Sequence, residues 1–225
     1  MNAGVVVASG QSKRMGPLVD KAFFSLGNMP VIAYSLAAFE KCVDIDRVTL
    51  VVRRERVESA WGMIKMFGFA KVTRVVVGGA LRQISVRNGL EGIGDDVQLV
   101  AVHDGARPCV TAELISKTLA AAKRYGSGVA GIQMTDTVKR VERGMHVAET
   151  LDRKKIWAVQ TPQSFKLPLL LEALDHVKKS KAVVTDEAHA LELLQKDVRL
   201  VPSSPANIKI TTSDDLPLAA ALLNA

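Results

Sequence analysis

Three short segments carry residue types able to handle phosphate. ASGQSKRMG, residues 8–16, with Asp20 and Lys21 after it, sets Lys13, Arg14 and Lys21 beside Ser9, Gly10 and Ser12. Small residues let backbone N–H groups approach a phosphate, and the cations add charge-assisted hydrogen bonds. The spacing fits neither a Walker A loop, which needs Gly-Lys-Ser/Thr after four residues, nor a G-x-G-x-x-G dinucleotide loop. In the second segment, GGALRQISVRNG at residues 78–89, paired glycines before a helix permit close backbone approach, and a helix N-terminus attracts anions or polar base edges. The third, HDGARP at residues 103–108, offers the Asp104 carboxylate to a Mg²⁺ that bridges phosphates. Taken singly, each has a plainer reading: a solvated basic loop, a turn, a turn-capping aspartate.

Each segment follows a short Val/Ile-rich run. Residues 3–8, 47–52, 72–77, 98–102 and 128–133 read as strands, and 30–42, 55–67, 81–90 and 111–124 as helices, the last capped by Thr111. Buried apolar strands alternating with helices make a mostly parallel sheet covered on both faces. Ligands of such a sheet bind beyond the carboxyl ends of its strands. From Asp136 to about Gln160 the rhythm changes. Residues 137–141 and 146–150 flank ERGM, a hairpin signal with Gly144 at the turn, and this stretch reads as an antiparallel arm. Helices at 168–178 and 186–195, strands at 198–201 and 208–210, and a helix at 214–223 with Pro217 in its first turn complete the chain. One domain, 1–225, with an arm at about 136–160, is the expectation.

The chain of 225 residues has 30 Lys+Arg against 23 Asp+Glu, a net charge of +7, which raises the question of an acidic partner. Its mean hydropathy of +0.16 excludes a disordered chain. With 4% aromatic residues, a protein that stacks bases on aromatic side chains is disfavoured, and no helix-turn-helix or zinc motif supports nucleic-acid binding. Cys42 and Cys109 are too few for a disulfide framework or a zinc site. They read as buried thiols in a reducing compartment. His103, His146, His176 and His189 form no i,i+4 pair, and His103 reads as packing or support beside Asp104. No apolar stretch approaches the ~20 residues of a membrane helix, and the N-terminus lacks the basic start of a signal peptide. A cytoplasmic protein, or a stromal one if the chain is a processed form, is expected.

In order, the blocks ASGQSKRMG, DKAFFSLGNMPVIAYSL, VVVGGALRQISVRNGL, VHDGARP, TDTVKRV, TLDRKKIWAVQTPQSF, TDEAHALEL and NIKITTSDDLPLA resemble the 2-C-methyl-D-erythritol 4-phosphate cytidylyltransferase family over residues 3–222. The resemblance implies a Rossmann-like α/β fold, a mostly parallel sheet flanked by helices, with an extended antiparallel β-arm for dimerisation. It implies transfer of CMP from CTP to the phosphate of methylerythritol phosphate, with Mg²⁺ as cofactor and pyrophosphate released. Arg14 and Lys21 match the catalytic pair. Ala8, Ser9, Gly10, Ser12, Gly79, Ala80, Arg82, Ser85, Asp104 and Lys209 match nucleotide-binding positions, Gly79, Ala80 and Ser85 reading cytosine. Asp104, Arg153 and Thr161 match positions that bind the acceptor, and Asp104 also faces the metal. Arg153 and Thr161 come from the arm of a partner subunit in the family, which implies a homodimer with shared sites and no nucleic-acid or membrane partner. Departures from the family pattern fall at Ser9, Gln11, Asp20 and Gly105. Ribitol-5-phosphate cytidylyltransferases share most of the pattern; Thr185-Asp186-Glu187-Ala188 looks more like the methylerythritol enzymes.

Overall fold

The computed structural model describes residues 1–10 and 21–224. Strand β1 (Asn2–Ala8) is a Val-rich run buried on both faces, so a layer must cover each side of it. A small antiparallel pair, β2 (Ser25–Leu26) and β3 (Met29–Pro30), precedes α1 (Val31–Lys41). Then β4 (Arg47–Val52) leads to α2 (Val57–Phe67), β5 (Val72–Val77) to α3 (Arg82–Leu90), and β6 (Leu99–Asp104) to α4 (Ala112–Tyr125). The Thr111 hydroxyl accepts the Leu114 N–H at 3.2 Å, capping α4 as its sequence predicts. Strand β7 (Ser127–Gln133) is followed by the hairpin β8 (Val138–Val141) and β9 (Val147–Leu151), then β10 (Trp157–Lys166). Helices α5 (Leu167–Ser180) and α6 (Glu187–Leu193), strand β11 (Leu200–Pro202) and helix α7 (Asp215–Leu223) follow.

Among the described residues, seven strands form one sheet in the order β11-β7-β10-β6-β1-β4-β5. Every pairing is parallel except those of β10, which runs antiparallel to both β6 and β7. Alternation along the strands sorts the core into two layers. Val6, Leu50, Val52 and Ala101 pack with Ile32 and Phe39 of α1 and Ile115 of α4. Ala3, Val5, Val51, Val100 and Val102 pack with Val86 of α3 and Leu170 of α5. Helix α1 comes close enough that a Cβ on Gly4 would lie 2.6 Å from the Phe39 ring. That position admits no side chain without moving the helix.

The alternating βα pattern predicts most of this architecture; besides the small β2–β3 pair, two larger segments differ from expectation. Residues 208–210 form no ladder; among the described residues they hang on one backbone bond, from the Ile210 N–H to the Ala106 carbonyl at 2.8 Å. Strand β10 was not anticipated, since WAVQTPQSFK carries a proline and several polar residues. A shift of register between Val159 and Gln163 accommodates Pro162. The hairpin stands where the sequence puts it, in a separate two-stranded sheet, with Gly144 at φ 79° in its turn.

Candidate active site

Strands β4 and β5 extend the sheet from one side of β1, and the chain returns through α3 to lay β6 on the other side. The winding therefore reverses between β1 and β6, where open α/β sheets bind ligands. A cavity of about 780 Å³ opens there, within the size range of small-molecule sites. Ala8, Ser9 and Gly10 line it from the end of β1, Gly78, Gly79 and Ala80 from the end of β5, and Asp104 from the tip of β6. Lys21, Arg53, Arg54, Arg82 and Lys209 bring five cations to its described wall, against the carboxylates of Glu55 and Asp104. The three segments singled out by residue type thus meet at one crevice.

Two of them are stapled by serines. The Ser9 hydroxyl donates to Ser85 Oγ at 2.9 Å, and Ser85 Oγ also accepts the Gly79 N–H at 3.1 Å. A Cβ on Gly78 would fall 2.4 Å from the Ser9 side chain, so glycine is what lets the two strand ends lie this close. Ser85 is buried and donates in turn to the Leu81 carbonyl at 3.2 Å. Its hydroxyl is spent on holding the two loops together.

The third segment centres on a chain of alternating charge. Arg82, at the start of α3, donates through Nη2 and Nε to Asp104 Oδ1 at 3.1 and 3.3 Å. Lys209 Nζ donates to Asp104 Oδ2 at 2.6 Å. On its far side, Arg82 Nη1 pairs with Glu187 Oε1. Burial alone would push the Asp104 carboxyl up, but Arg82, Lys209 and Arg107 outweigh it and hold the group well below the usual carboxylate range. For Glu187 the balance falls the other way: burial raises its pKa in spite of Arg82. Arg82 remains a firm cation, because its two carboxylates overcome the burial that would lower it.

Behind Asp104 runs a second polar chain. The Asp104 N–H donates to Thr161 Oγ1 at 3.0 Å, so the Thr161 hydroxyl proton is left to donate to His103 Nδ1 at 3.0 Å. His103 then carries its proton on Nε2 and donates to the Arg107 carbonyl at 3.2 Å. Burial depresses the His103 pKa from 6.5 to about 4. The unfolded chain therefore takes up a proton at a higher pH than the folded one, and stability present above pH 6.5 is lost as pH falls toward 4. By pH 5 the loss from this residue is about 2 kcal/mol. Urea unfolding at pH 8 and pH 5 should show it in the unsubstituted protein, and His103→Gln should remove that part of the difference. An equal pH dependence in both proteins would overturn this account.

The donor set at Asp104 does not fit a resident magnesium ion. Both carboxylate oxygens already face cations, and Mg²⁺ seeks free carboxylate oxygens together with water and phosphate. Among the described residues no group of three His, Cys, Asp or Glu side chains gathers in a way that could hold a metal.

Residues 3–225 match the family model described as IspD, 2-C-methyl-D-erythritol 4-phosphate cytidylyltransferase. The chain belongs to this family. A curated relative of that name from Alkaliphilus metalliredigens is 40% identical over 221 residues, 98% of this chain and 92% of the relative. Among solved structures, the 4-diphosphocytidyl-2C-methyl-D-erythritol synthase of Anaerococcus prevotii superposes with a TM-score of 0.86 at 26% identity, covering 100% of this chain and 98% of that one. The 2-C-methyl-D-erythritol 4-phosphate cytidylyltransferase of Thermus thermophilus gives 0.81 at 32% identity, with 98% of each chain covered.

Within this member of the cytidylyltransferase family, Ala8, Ser9, Gly10, Lys21, Gly79, Ala80, Arg82, Ser85, Asp104 and Lys209 all line the one cavity. Ser12 and Arg14 lie outside the described residues. Thr161, grouped with the arm on the sequence, is instead a buried residue of β10, and its hydroxyl is committed to Asp104 and His103. Arg153 sits in a single turn after β9 and donates to the Thr135 carbonyl at the root of the arm; it does not line this chain's own cavity. Three participants were missed. Arg53 and Arg54 were hidden in a charged helix start. Glu187 was noted only within the Thr-Asp-Glu-Ala tetrad, where an acidic residue after an aspartate cap reads as a plain helix N-terminus.

Proposed function

We propose that this chain transfers CMP from CTP to 2-C-methyl-D-erythritol 4-phosphate. A phosphate oxygen of the acceptor attacks the α-phosphorus of CTP, the new P–O bond forms as the α–β bridge breaks, and pyrophosphate leaves with the electron pair. The observation that carries this reading is the convergence of the two small-residue strand ends with Lys21, Arg82 and Lys209 on one cavity, in a chain of this family. The nucleophile is already an anion, so the reaction needs no strong general base. Its difficulty is bringing an anion up to a triphosphate, and cations lower that barrier when they converge on the charge growing in the transition state. Lys21 at the cavity wall takes that role, with Arg14, which lies seven positions before it in the sequence, as the second cation of the family's catalytic pair. Backbone N–H groups of the Ser9-Gly10 end bind the nucleotide beside the Gly78-Gly79 end, whose own N–H groups are taken by the Val52 carbonyl and Ser85 Oγ, and Asp104, fixed between Arg82 and Lys209, meets the acceptor.

Magnesium belongs in this scheme to the triphosphate, as part of the nucleotide substrate. The chain acts as one domain, 1–225, with the hairpin as its arm. The arm exposes Val141, Met145 and Val147, at 48%, 82% and 59%, and ends near Arg153. These features suit a homodimer in which the arm of one copy delivers Arg153 to the cavity of the other. No described helix is long and apolar enough to cross a membrane, in keeping with a cytoplasmic enzyme.

The deciding experiment incubates the protein with CTP, Mg²⁺ and either methylerythritol 4-phosphate or ribitol 5-phosphate, and measures pyrophosphate. Release with the first acceptor at least about tenfold faster than with the second, some 1.4 kcal/mol of discrimination, is expected. A faster rate with ribitol 5-phosphate, or none with either, overturns the assignment.

A further inference from the structure

Glu187 is a buried charge that the transfer reaction does not itself require. Its side chain is 1% exposed, Oε1 meets Arg82, and Oε2 has no hydrogen-bond partner among the described residues. A buried ion pair with an orphaned oxygen is poor value as stabilisation, since well-packed apolar side chains often do as well. Yet the surroundings are built to hold this carboxylate in place. The side-chain amide of Gln163, on β10, donates to the Asp186 carboxylate at 2.9 Å and accepts the Ala188 N–H at 3.1 Å, clamping the residues on either side of Glu187. Gln83, next to Arg82 on α3, does the same for the preceding segment: its amide donates to the Ala182 carbonyl at 2.8 Å and accepts the Val184 N–H at 3.1 Å. Two glutamines thus lock the backbones that carry the two partners of one ion pair.

We infer that Glu187 is a positioning residue for the transfer reaction: it holds the Nη1 side of Arg82 so that the Nε and Nη2 edge stays on Asp104 in the cavity wall. Without it, the guanidinium is free to rotate away, and Asp104 loses one of the two cations that fix its carboxylate opposite Lys209. Arg82 lines the cavity and Glu187 does not, so Glu187 acts through Arg82 alone. This inference rests on reading the cavity as the site of nucleotide transfer.

A four-protein cycle tests it: the unsubstituted enzyme, Glu187→Gln, Arg82→Gln and the double variant, each assayed for pyrophosphate release and for CTP binding by calorimetry. Glu187→Gln keeps an acceptor for Arg82 and removes the charge that holds it. Misplacement of a cavity group on this scale lowers kcat/KM by about 10-fold to 10²-fold, and most of the loss should fall in kcat. In the Arg82→Gln background the same substitution should change kcat/KM and the CTP dissociation constant by less than about twofold, because residues that act as a unit are not additive. Equal factors in both backgrounds, or full activity in Glu187→Gln, overturn the inference. A purely structural role would lower the melting temperature and the folded yield and leave kcat/KM per folded molecule unchanged. Should Glu187→Gln fail to fold, Glu187→Asp carries the cycle, keeping the charge and losing the reach by one methylene. If the unsubstituted protein binds CTP and transfers nothing, the proposed function falls and the CTP-binding cycle alone decides this inference; if it binds no CTP, both fall.

Discussion

Lys21→Ala should lower kcat by about 10²-fold to 10³-fold, the loss typical of deleting one preorganised donor to transition-state charge. Lys21 is the described cation of the first segment, and it lines the cavity together with Ser9, Gly10 and Thr211. The Thr211 and Thr212 N–H groups donate to the Asp215 carboxylate at 2.7 and 2.9 Å. Those bonds, with the Lys21 charge, hold that carboxyl below its ordinary range. The charge of Lys21 is therefore felt at Asp215, and Lys21 is not among the buried residues of the core. Removing it costs the interactions it makes outside the core, about 1 kcal/mol, the centre of the range for point substitutions, so the melting temperature should move by no more than a few degrees. Pyrophosphate release under saturating CTP and acceptor separates the two effects. A kcat within threefold of the unsubstituted enzyme would remove Lys21 from the catalytic role.

Several parts of the site were legible in the residues themselves, for physical reasons that differ. Val-rich runs buried on both faces announce parallel strands, and glycine, serine and lysine at their carboxyl ends announce a place where backbone meets anion. The tie between Ser9 and Ser85 was not legible, because a hydroxyl bond between residues 76 apart in sequence leaves no local pattern. Strand β10 hid for a related reason. Its buried Gln160, Thr161, Gln163 and Ser164 are polar because they work: Gln163 clamps α6, Thr161 supports Asp104, and the Asn207 side chain donates to Gln160 Oε1 at 3.0 Å. Period and propensity treat such residues as loop formers, while burial makes them the scaffold of the site. The +7 charge, which composition alone could assign to nucleic acid or to phosphate, is concentrated in part at one crevice, where five described cations face two carboxylates.

That surplus sets up the second large effect. Asp104→Asn keeps the shape of the side chain and deletes the negative charge between Arg82 and Lys209. Asp104 is held far below the ordinary carboxylate range by those cations, so it is ionised throughout the working pH range; its contribution to stability is fully present above the ordinary carboxylate range and is lost progressively as pH falls below it. Removing one partner of a buried pair costs about 3–5 kcal/mol. The lower figure applies here, because Arg82 keeps Glu187 and the Lys209 side chain is 37% exposed and can return to water. Activity should respond differently from binding. With one negative charge fewer, the cavity attracts the triphosphate more strongly, so the CTP dissociation constant should hold or fall. The same change releases Lys209 from its fixed place and leaves Arg82 held on its Glu187 side alone, and a group misplaced by about 1 Å loses about 10²-fold in rate. The expected signature is a kcat down by about 10²-fold with CTP bound at least as tightly, read by calorimetry and steady-state kinetics between pH 6.5 and 8.5. Weaker CTP binding with kcat unchanged would mean that Asp104 holds the nucleotide rather than ordering the cations around the acceptor.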